Sequence, residues 1–252
     1  MAKDRERAGS PIKGRGWGAG LVEAGLLYSI LWLRSFFPGL GIGTTARPDG
    51  VLSPTGPADP AWHFSILLNL VPAGLLILWM MHRSEGLTAF RLVSRPRPRE
   101  AAGAAAVLAL LLAVGFLPDT MLRLFAGRSS LPSWLANPLL EGIGHPATPA
   151  FFFIPLLFAS SLATGYVEEL FFRVYLSFRL ERAGLARTAR VALTSLVFGL
   201  SHGAGQGIAA AFIAGLLGLI LALRWETAKS WHEIGLGHGL YDFVVLMLLL
   251  YS

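Results

Sequence analysis

The sequence predicts an all-α fold, a polytopic bundle of about seven helices that cross a membrane. Of its 252 residues, 54% are hydrophobic and only 14% are charged, whereas soluble domains are about one quarter charged. Because a bilayer excludes ionisable groups, this shortage of charge indicates membrane-spanning segments. The chain has no cysteine, which excludes disulfides, thiolate metal sites and a cysteine nucleophile.

Seven apolar stretches approach the roughly 20 residues that a helix needs to cross the hydrocarbon core. They lie at about 17–37, 62–82, 101–117, 148–178, 189–202, 206–223 and 232–251. Residues 1–16 form a predicted basic cytoplasmic tail, and residues 17–252 form one transmembrane domain. A cleaved signal peptide is the alternative for the first stretch, but its apolar run is long and no small-residue cleavage site follows it.

Lysine and arginine are unevenly distributed between the predicted spans. The tail and the second, fourth and sixth connections carry sixteen of them, against three in the intervening connections. Cytoplasmic connections are enriched in basic residues, so these alternate connections are predicted to be cytoplasmic. The N-terminus is then inside and the C-terminus outside. The net charge of +6 is thus explained by membrane orientation, with a bilayer as the partner and no nucleic acid.

Ionisable residues inside a span are costly, and each is a functional hypothesis. Three spans contain them in small clusters: Glu168, Glu169 and Arg173 in the fourth, His202 in the fifth, and His238 and Asp242 in the seventh. At about 1.5 Å per residue, Glu168, His202 and His238 lie roughly 16, 20 and 9 Å from the inner ends of their spans. We therefore expect these clusters to meet within the bilayer.

Helix geometry separates the two adjacent glutamates. Glu169 and Arg173 are four residues apart on one helix face, so they can pair within the helix. Glu168 is rotated by about 100° from Glu169. It therefore remains available to a cavity, and we expect Glu168 to be functional and the Glu169–Arg173 pair to be structural.

These residue types are compatible with two kinds of hydrolytic site. A carboxylate near imidazoles can hold and deprotonate a water molecule, and a second imidazole can donate to the oxyanion of a tetrahedral intermediate. Alternatively, Glu168, His202 and His238 bind zinc and leave one position for water. The sequence has no H-E-x-x-H segment, the zinc-binding helix of many soluble proteases. We expect no cofactor, with zinc as the alternative.

Three short motifs occur in order, each within a predicted span. They are E-E-x-x-x-R from Glu168 to Arg173, F-x-x-x-H from Phe198 to His202, and H-x-x-x-D from His238 to Asp242. Together they resemble the CPBP family, the intramembrane proteases that include the type II CAAX prenyl endopeptidases. The resemblance covers roughly residues 148–251, the motif core, and the earlier spans match only in general character.

The resemblance implies an intramembrane endopeptidase in which Glu168 is the general base and His202 helps to hold the attacking water. It implies that His238 and Asp242 line the oxyanion side of the site. The family has been described both as metalloproteases and as glutamic proteases, and we favour the metal-independent reading. The remaining motif residues are expected to shape the site: Glu169, Arg173 and Phe198.

Asp242 departs from the prenyl-protease branch, which usually has asparagine there. This leaves both a prenylated substrate and the oxyanion role open, since an ionised carboxylate cannot donate a hydrogen bond. Either Asp242 is protonated and donates, or it accepts from one ring nitrogen of His238 and leaves the other nitrogen to donate. The implied partner is a peptide or protein substrate, including C-terminal or lipid-modified segments, and the implied location is a bacterial inner membrane.

Two other functions compete with proteolysis. A proton-coupled transporter could use Glu168 and the histidines as a relay, but such transporters often contain internal repeats, and none is visible in the sequence. A non-catalytic membrane scaffold would have no need of an unpaired glutamate inside the membrane. The endopeptidase is therefore the leading prediction.

Overall fold

A computed structural model describes residues 17–36, 44–46, 52–54, 56–92, 97–126 and 146–251. Helices dominate these residues, as predicted. The seven long helices are α1 (Trp17–Phe36), α2 (Pro60–Ser84), α3 (Pro98–Ala126), α4 (Ala150–Arg182), α5 (Arg187–Gln206), α6 (Ile208–Ala228) and α7 (Trp231–Tyr251). The predicted tail at residues 1–16 lies outside the described part of the chain.

Helices α2, α4, α6, α7 and residues Pro98–Phe116 of α3 are long and apolar enough to cross a membrane. Their outward surfaces carry large apolar side chains, among them Leu68, Phe151 and Phe212, which are 74%, 70% and 67% exposed. Such a surface is stable against lipid rather than against water. The chain is therefore an integral membrane protein, and the predicted fold class of a polytopic helical bundle is confirmed.

The structure differs from the prediction in two details. A short antiparallel hairpin, β1 (Thr44–Ala46) and β2 (Leu52–Pro54), lies in the connection between the first two predicted spans. Helix α5 spans Arg187–Gln206, several residues more than the predicted fifth span. The added C-terminal residues 203–206 place His202 one turn before the helix end, because glycine and glutamine there continue a helix that the apolar pattern alone does not reveal.

The crossing of α4 and α7 brings together the helices that carry Glu168 and His238. A Cβ added at Gly165 would meet the backbone of Gly239 and, at 2.9 Å, the carbonyl oxygen of Gly235. A Cβ added at Gly239 would lie 2.8 Å from Cα of Leu162. Small residues allow two membrane helices to approach at their backbones. The crossing thus holds α7 against the turn of α4 that precedes Glu168.

One end of the bundle is closed by ion pairs between helix ends, and we call it the ion-paired end. Arg179 near the end of α4 pairs with Glu23 of α1 at 3.5 Å and with Glu85 after α2 at 3.3 Å. Similar pairs join α5 to α6 and α6 to α7: Arg190 with Glu226, and Arg224 with Glu233. The described parts of the three basic connections therefore lie together, as the charge distribution predicts.

Candidate active site

The site begins on α4, at the point where the helix changes its winding. Residues Ala150–Glu169 are α-helical, Leu170–Leu176 form a π-helical segment, and Ser177–Arg182 are α-helical again. Glu168 and Glu169, the last residues before the widened turns, are 7% and 0% exposed. Short π-helical segments within α-helices are frequent at functional sites, and nothing in the hydrophobic pattern predicts this one.

Glu169 and Arg173 form the intrahelical pair that the sequence predicts. Nη1 of Arg173 donates to Oε1 of Glu169 at 3.0 Å, and neither side chain is exposed. Nη2 of Arg173 donates to the carbonyl oxygen of Gly218 at 3.0 Å, and the guanidinium lies 4.4 Å from the ring centroid of Phe198. Arg173 is thus held by the carboxylate of Glu169, a backbone carbonyl and an aromatic ring, and it does not line the cavity.

His238 connects the two glutamates to Asp242. Its Nδ1 lies 3.0 Å from Oε1 of Glu169, and because a carboxylate only accepts, this nitrogen carries the proton. Its Nε2 lies 4.0 Å from Oε2 of Glu168 and 3.7 Å from Oδ1 of Asp242. The bond between Glu169 and His238 was not predictable from the sequence, because no sequence spacing relates α4 to α7.

His202 is oriented by its own helix. Its Nδ1 lies 2.9 Å from the carbonyl oxygen of Phe198, and its ring centroid lies 4.7 Å from that of Phe198. The carbonyl oxygen only accepts, so Nδ1 carries the proton and Nε2 has a free lone pair. His202 can therefore accept a hydrogen bond from a water molecule through Nε2.

A cavity of about 450 Å³ brings the predicted polar residues together. Glu168, Phe198, His202, His238 and Asp242 all line it, whereas Glu169 and Arg173 are not part of its lining. Among the described residues, Oε2 of Glu168 is buried and has no hydrogen-bond partner. A buried carboxylate oxygen without a partner is costly and calls for a partner from outside the chain, such as water or substrate.

The cavity also contains polar groups that the sequence analysis missed. Ser161 lines it, is 3% exposed, and its hydroxyl has no partner among the described residues. Tyr241 lines it as well. Ser161 lies seven residues before Glu168, so both project from nearly the same helix face. That spacing was the available signal, but serines are common in helices that contact other helices within membranes.

The carboxylate and imidazole groups of the site are of the types that bind zinc in proteins. Within the described part of the chain, no three His, Cys, Asp or Glu side chains are grouped so as to hold a metal ion. Nδ1 of His202 and Nδ1 of His238 already face a carbonyl and a carboxylate oxygen. These bonds engage only Nδ1, as in histidines that bind a metal through Nε2, so zinc stays the alternative, and the chemistry below is proposed without a metal.

Comparison with known proteins gives a match to a family model. A search of curated proteins and a search of solved structures each found no match to the chain. A family model, that of the type II CAAX prenyl endopeptidase Rce1-like family, matches residues 148–244. The match covers all three motifs and supports, in general terms, an intramembrane endopeptidase. The motifs and the family model thus agree, and residues 148–244 are similar to the Rce1-like type II CAAX prenyl endopeptidases.

Proposed function

We propose that the chain is a glutamic intramembrane endopeptidase in which Glu168 activates the attacking water without a metal. The observation that carries this proposal is the buried, unpartnered Oε2 of Glu168 in a cavity that both histidines also line. Glu168 and Nε2 of His202 each accept a hydrogen from one water molecule. The oxygen of that water then faces the carbonyl carbon of the substrate.

Glu168 takes a proton as the water oxygen bonds to the scissile carbonyl carbon. The carbonyl oxygen becomes an oxyanion, which needs a hydrogen-bond donor. When the C–N bond breaks, Glu168 returns the proton to the departing amine. The new carboxyl and amine ends leave the cavity, and the carboxylate of Glu168 is restored.

The oxyanion donor is the protonated carboxyl of Asp242. Nδ1 of His238 is occupied by Glu169, so only its Nε2 faces the cavity. If Asp242 were ionised and accepted from Nε2, His238 would have no second N–H to offer an oxyanion. This supports the protonated form of Asp242 over the arrangement in which His238 donates.

The test uses purified protein in detergent and a peptide library. The wild type should cleave a subset of peptides, and Glu168→Gln should lower the rate at least ~100-fold, because the amide keeps the shape and loses the base. Insertion and thermal unfolding of the variant should match the wild type. Near-normal cleavage by the variant would contradict the role of Glu168. Proton movement across vesicles without cleavage would instead fit the transporter hypothesis.

A further inference from the structure

The cavity is closed at the ion-paired end of the bundle. Large buried side chains fill the space between the catalytic cluster and that end, among them Phe171, Tyr175, Leu221 and Ile234, all 0% exposed. The ion pairs between helix ends lie beyond them. Among the described residues, no wall of the cavity belongs to the helix ends that carry these pairs.

The walls of the cavity continue towards the opposite end of the bundle. The lining includes Pro57 just before α2, Trp62 in its first turn, Gln206 at the end of α5, Ala210 in the first turn of α6 and Leu249 in the last turn of α7. All of these helix ends lie away from the ion pairs. A molecule can therefore approach Glu168 from this end, which we call the cavity end.

Charge assigns the two ends to the two sides of the membrane. The basic connections, with sixteen Lys and Arg against three, lead to the ion-paired end, which is cytoplasmic by the bias of basic residues. The cavity end then faces the extracytoplasmic side. The wall between the cavity end and Glu168 is mostly aliphatic: Ile66, Leu70, Ile213, Leu217, Val245 and Leu246. An apolar wall suits an apolar segment of polypeptide.

We propose that the substrate enters from the extracytoplasmic side, as an apolar segment of a membrane-anchored or exported polypeptide, and that cytoplasmic chains do not reach Glu168. This rests on the proposed function for the act of cleavage. The route itself is a property of the fold and its orientation, so it can be measured on protein that has not been shown to cleave anything.

The absence of native cysteine permits single-cysteine labelling in intact cells. Three substitutions on α6 form a matched set: Ala210→Cys on the cavity wall, Phe212→Cys on the lipid-facing surface beside it, and Thr227→Cys in the last turn at the ion-paired end. Thr227 lies 17 residues after Ala210, which is roughly 26 Å along the helix. Maleimides react with the thiolate form of cysteine, and a thiol ionises only where water reaches it. Labelling therefore reports the access of water to each position.

A membrane-impermeant maleimide should label Ala210→Cys in intact cells and should leave Phe212→Cys unlabelled. Thr227→Cys should react only after the membrane is permeabilised. Labelling of Thr227→Cys in intact cells, or of Ala210→Cys only after permeabilisation, would overturn the proposal. Equal labelling of Ala210→Cys and Phe212→Cys would also overturn it, because the cavity would then provide no water path of its own.

The labelling experiment separates this proposal from the proposed function. If the labelling pattern is as expected and no peptide is cleaved, the route stands and the endopeptidase assignment fails. If peptides are cleaved and Ala210→Cys is reached only from the inside, the endopeptidase stands and the route fails. In an active protein, attaching the maleimide to Ala210→Cys should also block cleavage, and labelling Thr227→Cys should not.

Discussion

The two ends of the bundle handle their charged residues in opposite ways. At the ion-paired end, carboxylates meet cations of neighbouring helices, as Glu85 meets Arg179 and Glu226 meets Arg190. At the cavity, Glu168 lies within 4.0 Å of His238 but has an oxygen without a hydrogen-bond partner. Paired charges hold helix ends together, whereas a buried group without a partner destabilises the fold and is typical of functional sites.

Glu169 belongs to both kinds of contact, because it pairs with Arg173 and also accepts from His238 of the cavity. Its substitution should have the largest effect. Glu169→Gln removes the charge that faces buried Arg173. Breaking a buried pair by removing one partner typically costs about 3–5 kcal/mol, so we expect a large loss of folded protein and of thermal stability in detergent. Glu168→Gln is the matched control and should unfold like the wild type. Equal stability of the two variants would contradict a structural role for the pair.

Asp242 tests whether the cavity uses a protonated carboxyl. Wild-type activity should fall as the pH rises and Asp242 loses the proton that it donates, and Asp242→Asn should keep substantial activity and lack this fall, because an amide donates at every pH. The measurement is a pair of pH–rate profiles on one peptide. A well-folded but inactive Asn variant would instead make Asp242 an acceptor for His238.

Ser161 and Thr164 provide a smaller test on one wall of the cavity. Both line it, but Thr164 donates to the carbonyl oxygen of Ser160 at 3.0 Å, whereas the Ser161 hydroxyl has no partner among the described residues. If Ser161 binds the substrate backbone, Ser161→Ala should raise KM roughly fivefold, the equivalent of about 1 kcal/mol for one hydrogen bond. Its kcat should change little.

The matched variant Thr164→Val should leave both constants near their wild-type values, because its hydroxyl is already bonded within α4. An equal effect of the two variants would indicate that helix packing, and not an unpartnered hydroxyl, controls the site. A drop in kcat alone for Ser161→Ala would place the serine near the reacting atoms instead.

Metal removal should have the smallest effect of all. We expect cleavage to continue unchanged after dialysis against a strong chelator, because in the proposed mechanism Glu168 and His202 hold the water directly. Activity that disappears on chelation and returns with added zinc would restore the alternative in which Glu168, His202 and His238 bind the metal. The same assay on Glu168→Gln provides the background rate.

The sequence by itself determined the helices, the grouping of their basic ends and the order of the three motifs. Apolar length, the bias of lysine and arginine, and the pairing of Glu169 with Arg173 are local properties, and all are readable along one helix. The family could be recognised for the same reason, since each motif lies within a single span.

Only the tertiary structure decided which partners meet across helices. The bond from His238 to Glu169 depends on the glycine crossing of α4 and α7. The direction in which the cavity opens depends on which spaces between helices are filled by Phe171, Tyr175 and Ile234. Periodicity states which residues share a helix face, but the relative position of two faces is set by packing between chain segments far apart in sequence.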